Sequence, residues 1–244
     1  MERKEFLKSL GMFSVIPILV SCSSDEDPTP STTDNSGATT TTGSESSSST
    51  SCAVSPSETA GPFPTKSPSS LQRVDIRSDR TGVELTIKIT IQNKNASCAA
   101  MEGAIVDIWH CDKDGYYSEY GGTTMQSVNY ASVHFLRGRQ VSDANGLVTF
   151  TSIFPGWYPG RAPHVHVHIY TSSGDSLLVT QIAFPTEVCD TVYTTATEYY
   201  KNGKQDTSNA RDGIFSDSLS SELASVEGNI NHGYVLTHTI VVSA

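Results

Sequence analysis

Apolar and polar residues alternate with a period of two along much of the chain, which is typical of half-buried β-strands. The clearest alternation is VELTIKITIQN at residues 83–93. Glycine, asparagine and aspartate occupy the gaps between such runs, where turns favour them. The pattern predicts six strands. The other five runs lie at residues 103–112, 146–156, 164–171, 177–184 and 234–243.

Helical signals are poor along the chain. Only residues 216–228, SDSLSSELASVEG, have the composition of a short helix. Several short strands separated by turn residues are typical of two packed antiparallel sheets. We therefore predict an all-β fold, a β-sandwich with few short helices.

The beginning of the chain breaks the alternation. Residues 1–22, MERKEFLKSLGMFSVIPILVSC, combine a charged start with an apolar run at residues 10–20. That run is shorter than the roughly 20 apolar residues that span a bilayer, which favours an export signal. The final LVSC resembles the lipobox of bacterial lipoproteins, in which Cys22 would carry the lipid. We predict a lipoprotein signal peptide and an exported protein anchored to the membrane through Cys22; a buried first helix is the alternative.

Residues 23–51 form a second distinct region, with 18 Ser or Thr among 29 positions and no Lys or Arg. Such a segment cannot bury enough apolar surface to offset its ordering entropy, so we predict a disordered tether. The folded domain is then predicted at residues 52–244, where 13 basic residues stand against 19 acidic ones. An acidic domain without a basic stripe argues against nucleic acid as a partner. Whether the chain forms an oligomer stays open.

Four cysteines fall within the predicted domain. An even number of cysteines in an exported protein indicates disulfides, and four cysteines allow three pairings. The sequence does not choose among these pairings. The C-x₂-C spacing of thiolate zinc sites is absent from the sequence, so a metal site of that kind is not expected. The four residues are Cys52, Cys98, Cys111 and Cys189.

The strand predicted at residues 164–171 carries the candidate chemistry, because it begins His-Val-His-Val-His. Side chains two apart share a face and stand roughly 7 Å apart, so His164, His166 and His168 are candidate metal ligands. An Fe(II) facial triad needs a carboxylate beside two histidines, and neither this strand nor its preceding loop has one. Tyr158 stands nearby instead, and phenolate is an anionic donor suited to ferric iron. A copper or zinc site built from the three histidines is the alternative.

Three longer segments together resemble one enzyme family. They are VDIWHCDKDGYYSEY at residues 106–120, SDANGLVTFTSIFPGWYPGRAPHVHVHI at 142–169 and TQIAFP at 180–185. ETAGPFP at 58–64 and ARDGIFSD at 210–217 add to the likeness. The combination is similar to the intradiol ring-cleavage dioxygenases, in the branch of the protocatechuate 3,4-dioxygenase β chain, over almost the whole predicted domain.

The resemblance implies an immunoglobulin- or transthyretin-like β-sandwich that holds one non-haem Fe(III) per chain. It implies that Arg161 stabilises negative charge on the substrate ring and that Gln181 lines the same pocket. Tyr158 is expected to leave the metal when substrate binds and to accept a substrate proton. The implied metal ligands are Tyr117, Tyr158, His164 and His166.

The implied reaction is the cleavage of a catechol-type ring by O₂, giving a cis,cis-muconate-type product. The loop between Tyr158 and His164 is shorter than in the cytoplasmic β chain, so a preference for protocatechuate is not implied. The rival hypothesis is a transthyretin-like or carbohydrate-binding β-sandwich that has lost the chemistry. The presence of all four implied ligands together with Arg161 favours the enzyme.

Overall fold

A computed structural model describes residues 52–244 of the chain. The signal peptide predicted at residues 1–22 and the tether predicted at residues 23–51 lie outside the described residues. Within the described range, no helix has both the length and the apolar composition that crossing a membrane requires.

Nine strands run through the described part of the chain, with two α-helices and three single turns of 3-10 helix. The strands are β1 (Glu84–Asn93), β2 (Ala99–Ala100), β3 (Ile105–Trp109), β4 (Arg137–Val141), β5 (Leu147–Ile153), β6 (His164–Tyr170), β7 (Ser176–Ala183), β8 (Ser225–Asn229) and β9 (Gly233–Val242). The helices are α1 (Thr186–Thr195) and α2 (Leu219–Glu222). The 3-10 turns are Pro68–Ser70, Lys94–Ala96 and Asn209–Arg211.

The strands form two sheets. In the first sheet, β1 pairs in parallel with β9 along one edge and antiparallel with β5 and β2 along the other, and β8 follows β9. The second sheet has the order β4-β3-β6-β7 and is antiparallel throughout. The prediction of an all-β sandwich is therefore confirmed.

Each of the six predicted strands is present, and the differences have local causes. The pattern of apolar and polar residues did not predict β4, because its sequence, RGRQV, lacks apolar alternation, although Arg137 is fully buried. It missed β8 because this edge strand is mostly exposed. Helix α1 was not predicted either, because it is rich in Thr and Val, which have low helix propensity. Of the helix predicted at residues 216–228, only α2 (Leu219–Glu222) is helical, and the segment from Ser225 onward belongs to β8.

The core lies between the two sheets and fixes the direction of the histidines. The apolar residues of β1 alternate into it, and each contributes roughly 1.5–3 kcal/mol by burial. On β6, Val165, Val167 and Ile169 belong to the same core cluster. Because side chains alternate along a strand, the histidines of β6 point to the outer face of the second sheet. Loops that cover this face bury His164 and His166.

The cysteines separate into one bridged pair and two buried thiols. Cys52 and Cys98 form a disulfide that closes a span of 46 residues. The predicted disulfide chemistry is thus confirmed for one pair. Cys111 and Cys189 are free and buried, and burial raises the pKa of both thiols. A pairing that includes either of these two is therefore wrong.

Candidate metal centre and active site

His164 opens β6 and points a lone pair into the site. Its ring Nδ1 lies 2.6 Å from the carbonyl oxygen of Ala162 and donates to it, because a carbonyl only accepts. A neutral imidazole that donates from Nδ1 has its acceptor at Nε2. Metal-bound histidines commonly donate their second nitrogen to a backbone carbonyl in this way.

His166 lies two residues further along β6 and is held from two sides. The Trp109 ring stacks on the imidazole, with centroids 4.9 Å apart and planes 4° from parallel. Gly61 approaches the ring edge so closely that a Cβ there would stand 2.9 Å from His166 Cε1. A larger residue at position 61 would therefore push the imidazole out of place. Among the described residues, the buried Nδ1 of His166 has no hydrogen-bond partner.

Tyr117 reaches the histidines from the long connection between β3 and β4. Gln126 clamps its backbone, since Gln126 Oε1 accepts from Tyr117 N at 2.7 Å and Gln126 Nε2 donates to Tyr117 O at 2.8 Å. The ring packs against Phe63 at 5.1 Å, and its side chain is buried. The position of this phenol is therefore set by its own connection and by the segment before β1.

Tyr158 enters from the connection between β5 and β6 and stays half-buried. This loop packs tightly on the Tyr117 loop. A Cβ at Gly156 would lie 2.4 Å from the Lys113 carbonyl oxygen, and one at Gly115 would lie 2.3 Å from the Trp157 carbonyl oxygen. Two glycines thus let the two tyrosine-bearing loops meet without a gap.

Four donor atoms converge at one point. The Nε2 atoms of His164 and His166 are 3.2 Å apart. His164 Nε2 also lies 3.3 Å from the Tyr117 hydroxyl and 3.2 Å from the Tyr158 hydroxyl. The structure thus brings together all four ligands that the sequence analysis predicted.

Burial is the main cause of altered pKa values at this point. It raises the pKa of Tyr117 well above the ordinary 10 and that of Tyr158 to about 12. Burial, followed by the charge of Arg161, lowers the pKa of His164 to about 3. Burial, followed by His164, lowers the pKa of His166 well below 6.5. Both imidazoles are therefore neutral near pH 7, and a cation at the centre would favour the ionised phenols.

The donor set fits a hard, highly charged metal ion. Atoms that share an ion at about 2.0–2.1 Å lie about 3 Å from one another, and His164 Nε2 lies 3.2–3.3 Å from each of the other three donor atoms. His164 Nε2, an acceptor, faces a second imidazole nitrogen and two phenol oxygens, and each of these atoms has a lone pair that it can give to a cation. Within the described residues, no group of three His, Cys, Asp or Glu could hold a metal. The fit therefore depends on the two phenols.

Arg161 and Gln181 lie beside this point, as the sequence analysis predicted for the pocket. Gln181 pairs across the sheet with His166 and is fully buried. Its Oε1 accepts from Arg161 Nη2 at 2.6 Å, and its Nε2 donates to the Thr59 carbonyl at 2.8 Å. The guanidinium is thereby held at the edge of the donor cluster.

Asp212 is a buried charged residue beside the site that sequence reasoning did not single out. It is fully buried, and its carboxylate accepts from Arg161 Nε at 2.8 and 3.0 Å. It lies 51 residues from Arg161, so neither spacing nor periodicity joins the two. The only signal was its place in the ARDGIFSD segment at residues 210–217, to which no role was assigned.

His168 shares the outward face of β6 but does not join the cluster. Its Nδ1 lies 2.8 Å from the Tyr170 hydroxyl, and its Nε2 lies 2.8 Å from Ser176 Oγ. A copper or zinc site that uses all three histidines is therefore not the arrangement observed.

A cavity of about 610 Å³ opens beside Tyr158. It lies between the start of the domain, the Tyr117 loop and the Tyr158 loop. Its size is within the range of about 300–1,000 Å³ that holds drug-sized ligands. Its walls include Pro62, Phe63, Met125, Trp157 and Tyr158.

Comparisons with known proteins agree with this geometry. The family model described as "Dioxygenase" matches residues 60–215. A chlorocatechol 1,2-dioxygenase from Rhodococcus opacus is 28% identical over 142 residues, which make up 50% of this chain and 51% of that protein. The match thus spans about half the length of this curated relative.

Solved structures extend the likeness to most of the chain. An intradiol ring-cleavage dioxygenase from Tetranychus urticae matches with a TM-score of 0.70 and 27% identity, over 79% of this chain and 95% of that chain. The dioxygenase domain of a carbohydrate-binding fusion protein from Streptomyces sp. SirexAA-E matches with a TM-score of 0.58 and 24% identity, over 79% of this chain and 99% of that domain. The second likeness concerns the fold alone.

Proposed function

Because the chain belongs to the intradiol ring-cleavage dioxygenase family, we propose that it cleaves a catechol-type aromatic ring with O₂, using one ferric ion. The bond between the two hydroxyl-bearing carbons breaks, and each of these carbons becomes a carboxyl group of a cis,cis-muconate-type product. Catechol and O₂ together contain the atoms of the product, so the reaction needs no external reductant.

The convergence of two phenols and two neutral imidazoles in a largely buried site is the single observation that carries this proposal. We assign the ferric ion to Tyr117, Tyr158, His164 and His166. When bound, ferric iron would supply Lewis acidity, which favours loss of the catechol hydroxyl protons and draws electron density from the ring. Two anionic donors suit a trivalent ion, because they offset most of its charge in a buried place.

Tyr158 has the position of the proton acceptor. It is half-buried and forms part of the cavity wall, whereas Tyr117 is closed off from it. A substrate in the cavity therefore meets the Tyr158 hydroxyl first. We propose that the Tyr158 oxygen receives a catechol proton, which is general-base catalysis by a positioned side chain. The histidines hold their place and move no proton.

Arg161 has the position of the electrostatic stabiliser. Its guanidinium is fixed by Gln181 and a buried carboxylate, and 16% of its side chain is exposed. A cation held in advance stabilises negative charge that develops on the ring and needs no reorganisation during the reaction.

The cavity beside Tyr158 indicates the kind of ring that we propose as substrate. Among the described residues that line it, none is Lys or Arg, and Asp114 is its acidic member. A substituent with a carboxylate would meet no counter-charge there. We therefore propose a catechol with a neutral substituent that is larger than a hydrogen atom.

We also propose that residues 1–22 are a lipoprotein signal peptide and residues 23–51 a tether, so that a catalytic domain at residues 52–244 works outside the cytoplasm. The disulfide between Cys52 and Cys98 supports this proposal, because disulfides persist in oxidising compartments. Replacing Cys22 with Ser should release the protein from the membrane fraction. Unchanged attachment of that variant would contradict the lipid anchor.

Oxygen-isotope labelling tests the enzymatic proposal. The full chain, loaded with iron, is given a 4-alkylcatechol under ¹⁸O₂, and the product is analysed by mass spectrometry. The proposal predicts a muconate-type product with one labelled oxygen in each new carboxyl group. Unlabelled product would contradict ring cleavage by O₂, and binding without turnover of any catechol would favour the rival module without catalysis.

A further inference from the structure

The Asp212 carboxylate accepts hydrogen bonds from its own segment and from the loop that precedes β6. Its carboxylate accepts from the backbone N–H of Ala162 at 2.7 Å and from that of Ile214 at 2.9 Å. It also accepts from Arg161 Nε through both oxygens. Charge-assisted hydrogen bonds of this kind are roughly twice as strong as neutral ones. The carboxylate therefore fixes the loop next to the donor cluster as well as the arginine itself.

The contacts of the guanidinium leave one edge for a substrate. Nε is taken by Asp212, and Nη2 donates to Gln181. Nη1 has no hydrogen-bond partner among the described residues. Because a guanidinium is planar and its five N–H groups have a fixed geometry, fixing two nitrogens also fixes where the third one points.

The segment that carries Asp212 lies against the whole Tyr158 loop. Trp157 Nε1 donates to the Gly203 carbonyl at 2.8 Å, and Gly160 N donates to Asp206 Oδ1 at 3.2 Å. Phe215 lies under the Arg161 guanidinium at 5.7 Å. Residues 203–215 thus act as a strap, and Asp212 is its one fully buried charge.

We propose that Asp212 is the positioning residue of Arg161: it holds the guanidinium so that Nη1 faces the ring at which negative charge develops. This role rests on the proposed function. Asp212 itself reaches neither the donor cluster nor the cavity. Its bond to Ala162 N holds the residue whose carbonyl accepts from His164, so iron content reports that contact, whereas the effect of Asp212 on the ring passes through the arginine.

The first test measures the arginine in iron-free wild-type protein by ¹⁵N NMR. The Nε–H signal of Arg161, assigned by its loss in Arg161→Lys, should exchange slowly with water. The signal of the exposed Arg211 should exchange quickly and serves as the internal control. An Arg161 Nε–H that exchanges as fast as that of Arg211 would overturn the proposal, and this comparison needs no variant at position 212.

The second test is a double-mutant cycle on the iron-loaded enzyme. Asp212→Asn should lower kcat about 10- to 100-fold, as expected for a misplaced catalytic group, with iron content unchanged. In an Arg161→Met background, Asp212→Asn should lower kcat less than about twofold, because the guanidinium through which Asp212 acts is absent. Asp217→Asn removes the same charge from an exposed neighbour and should leave kcat unchanged in both backgrounds.

The two arms separate the failure of this role from the failure of the function. Equal losses from Asp212→Asn in both backgrounds would make Asp212 merely structural and overturn the proposal. A wild-type protein that holds iron but cleaves no catechol would contradict the proposed function, whatever the NMR result.

Discussion

Two histidines on the same face of β6, His166 and His168, have different surroundings. His166 lies where the loops cover the sheet, is buried, and has no hydrogen-bond partner for Nδ1 among the described residues. His168, two positions along, is half-buried and has partners on both ring nitrogens, Tyr170 and Ser176. The repeat of histidines therefore does not define the site. What defines it is the surroundings of the imidazole. The nitrogens of His168 lie within hydrogen-bond distance of neighbouring side chains, whereas His166 Nε2 faces another atom that can bind the same metal ion.

The largest expected difference between His166 and His168 is in iron binding. His166→Ala removes one of four donors and should lower iron affinity more than about 100-fold, beyond the 10- to 100-fold range of residues that only support a ligand. His168→Ala should leave iron content and ring cleavage unchanged, because its partners are Tyr170 and Ser176. Metal analysis of both purified variants measures this. Equal iron content in the two variants would contradict the assignment.

A smaller effect is expected from the phenols. Tyr117→Phe removes an anionic donor but keeps the ring that packs on Phe63, so the site stays closed, and iron affinity should fall about 100-fold, less than for His166→Ala but at the upper limit for residues that only support a ligand. Tyr170→Phe likewise removes a phenol hydroxyl, but one that lies beside His168 and outside the donor cluster, and it is the matched control. Iron titration followed in the visible range compares the two. A Tyr117→Phe variant with full affinity and full absorption would remove Tyr117 from the site.

The stacking partner of His166 should have a still smaller effect. Trp109→Leu removes the parallel ring that orients the imidazole, and we expect about tenfold weaker iron binding. Its measurement is the same titration, with thermal unfolding recorded to separate lost orientation from lost stability. If affinity stays unchanged in a folded variant, the loops alone orient His166.

A buried histidine with both nitrogens satisfied should show its effect in stability alone. His110 lies 2.8 Å from the Cys111 carbonyl oxygen and 2.7 Å from Ser152 Oγ, and burial lowers its pKa to about 4. The unfolded chain therefore binds the proton first, and stability falls as pH drops below the unfolded pKa of about 6.5. From about pH 7.5 to about pH 6, His110 alone should contribute roughly 1 kcal/mol to this loss, and other buried histidines with lowered pKa values add to it.

Denaturant unfolding of the iron-free protein at both pH values checks this loss. His110→Gln should show a shallower dependence on pH than wild type, whatever its absolute stability. An identical dependence in the variant would mean that other groups cause the loss.

Sequence reasoning was most successful where one local pattern decided the outcome. The period-two runs gave the six main strands, and the motif around WYPGRAPHVH gave the donors on one strand and its preceding loop. The edge strand β4 escaped because its buried Arg137 is held by Ser118, Phe63 and Thr65 rather than by apolar neighbours. A buried charge with distant partners leaves no periodic signal.

The parts that could not be predicted depend on contacts between distant segments. Asp212 meets Arg161 only because the strap at residues 203–215 crosses the Tyr158 loop. The pairing of Cys52 with Cys98 likewise depends on where the start of the domain lies against β1 and β2. In both cases the residue types were visible in the sequence, whereas the partner was decided by tertiary structure.

The visible spectrum of the iron-loaded protein, before and after catechol is added without oxygen, tests the central claim most directly. The account predicts a coloured protein with a broad band in the blue-green from phenolate-to-Fe(III) charge transfer. Catechol should shift this band to longer wavelength as it binds beside Tyr158. A colourless protein that holds zinc or no metal would contradict the account, and the strand HVHVH would then be a structural or zinc-binding element of a binding module.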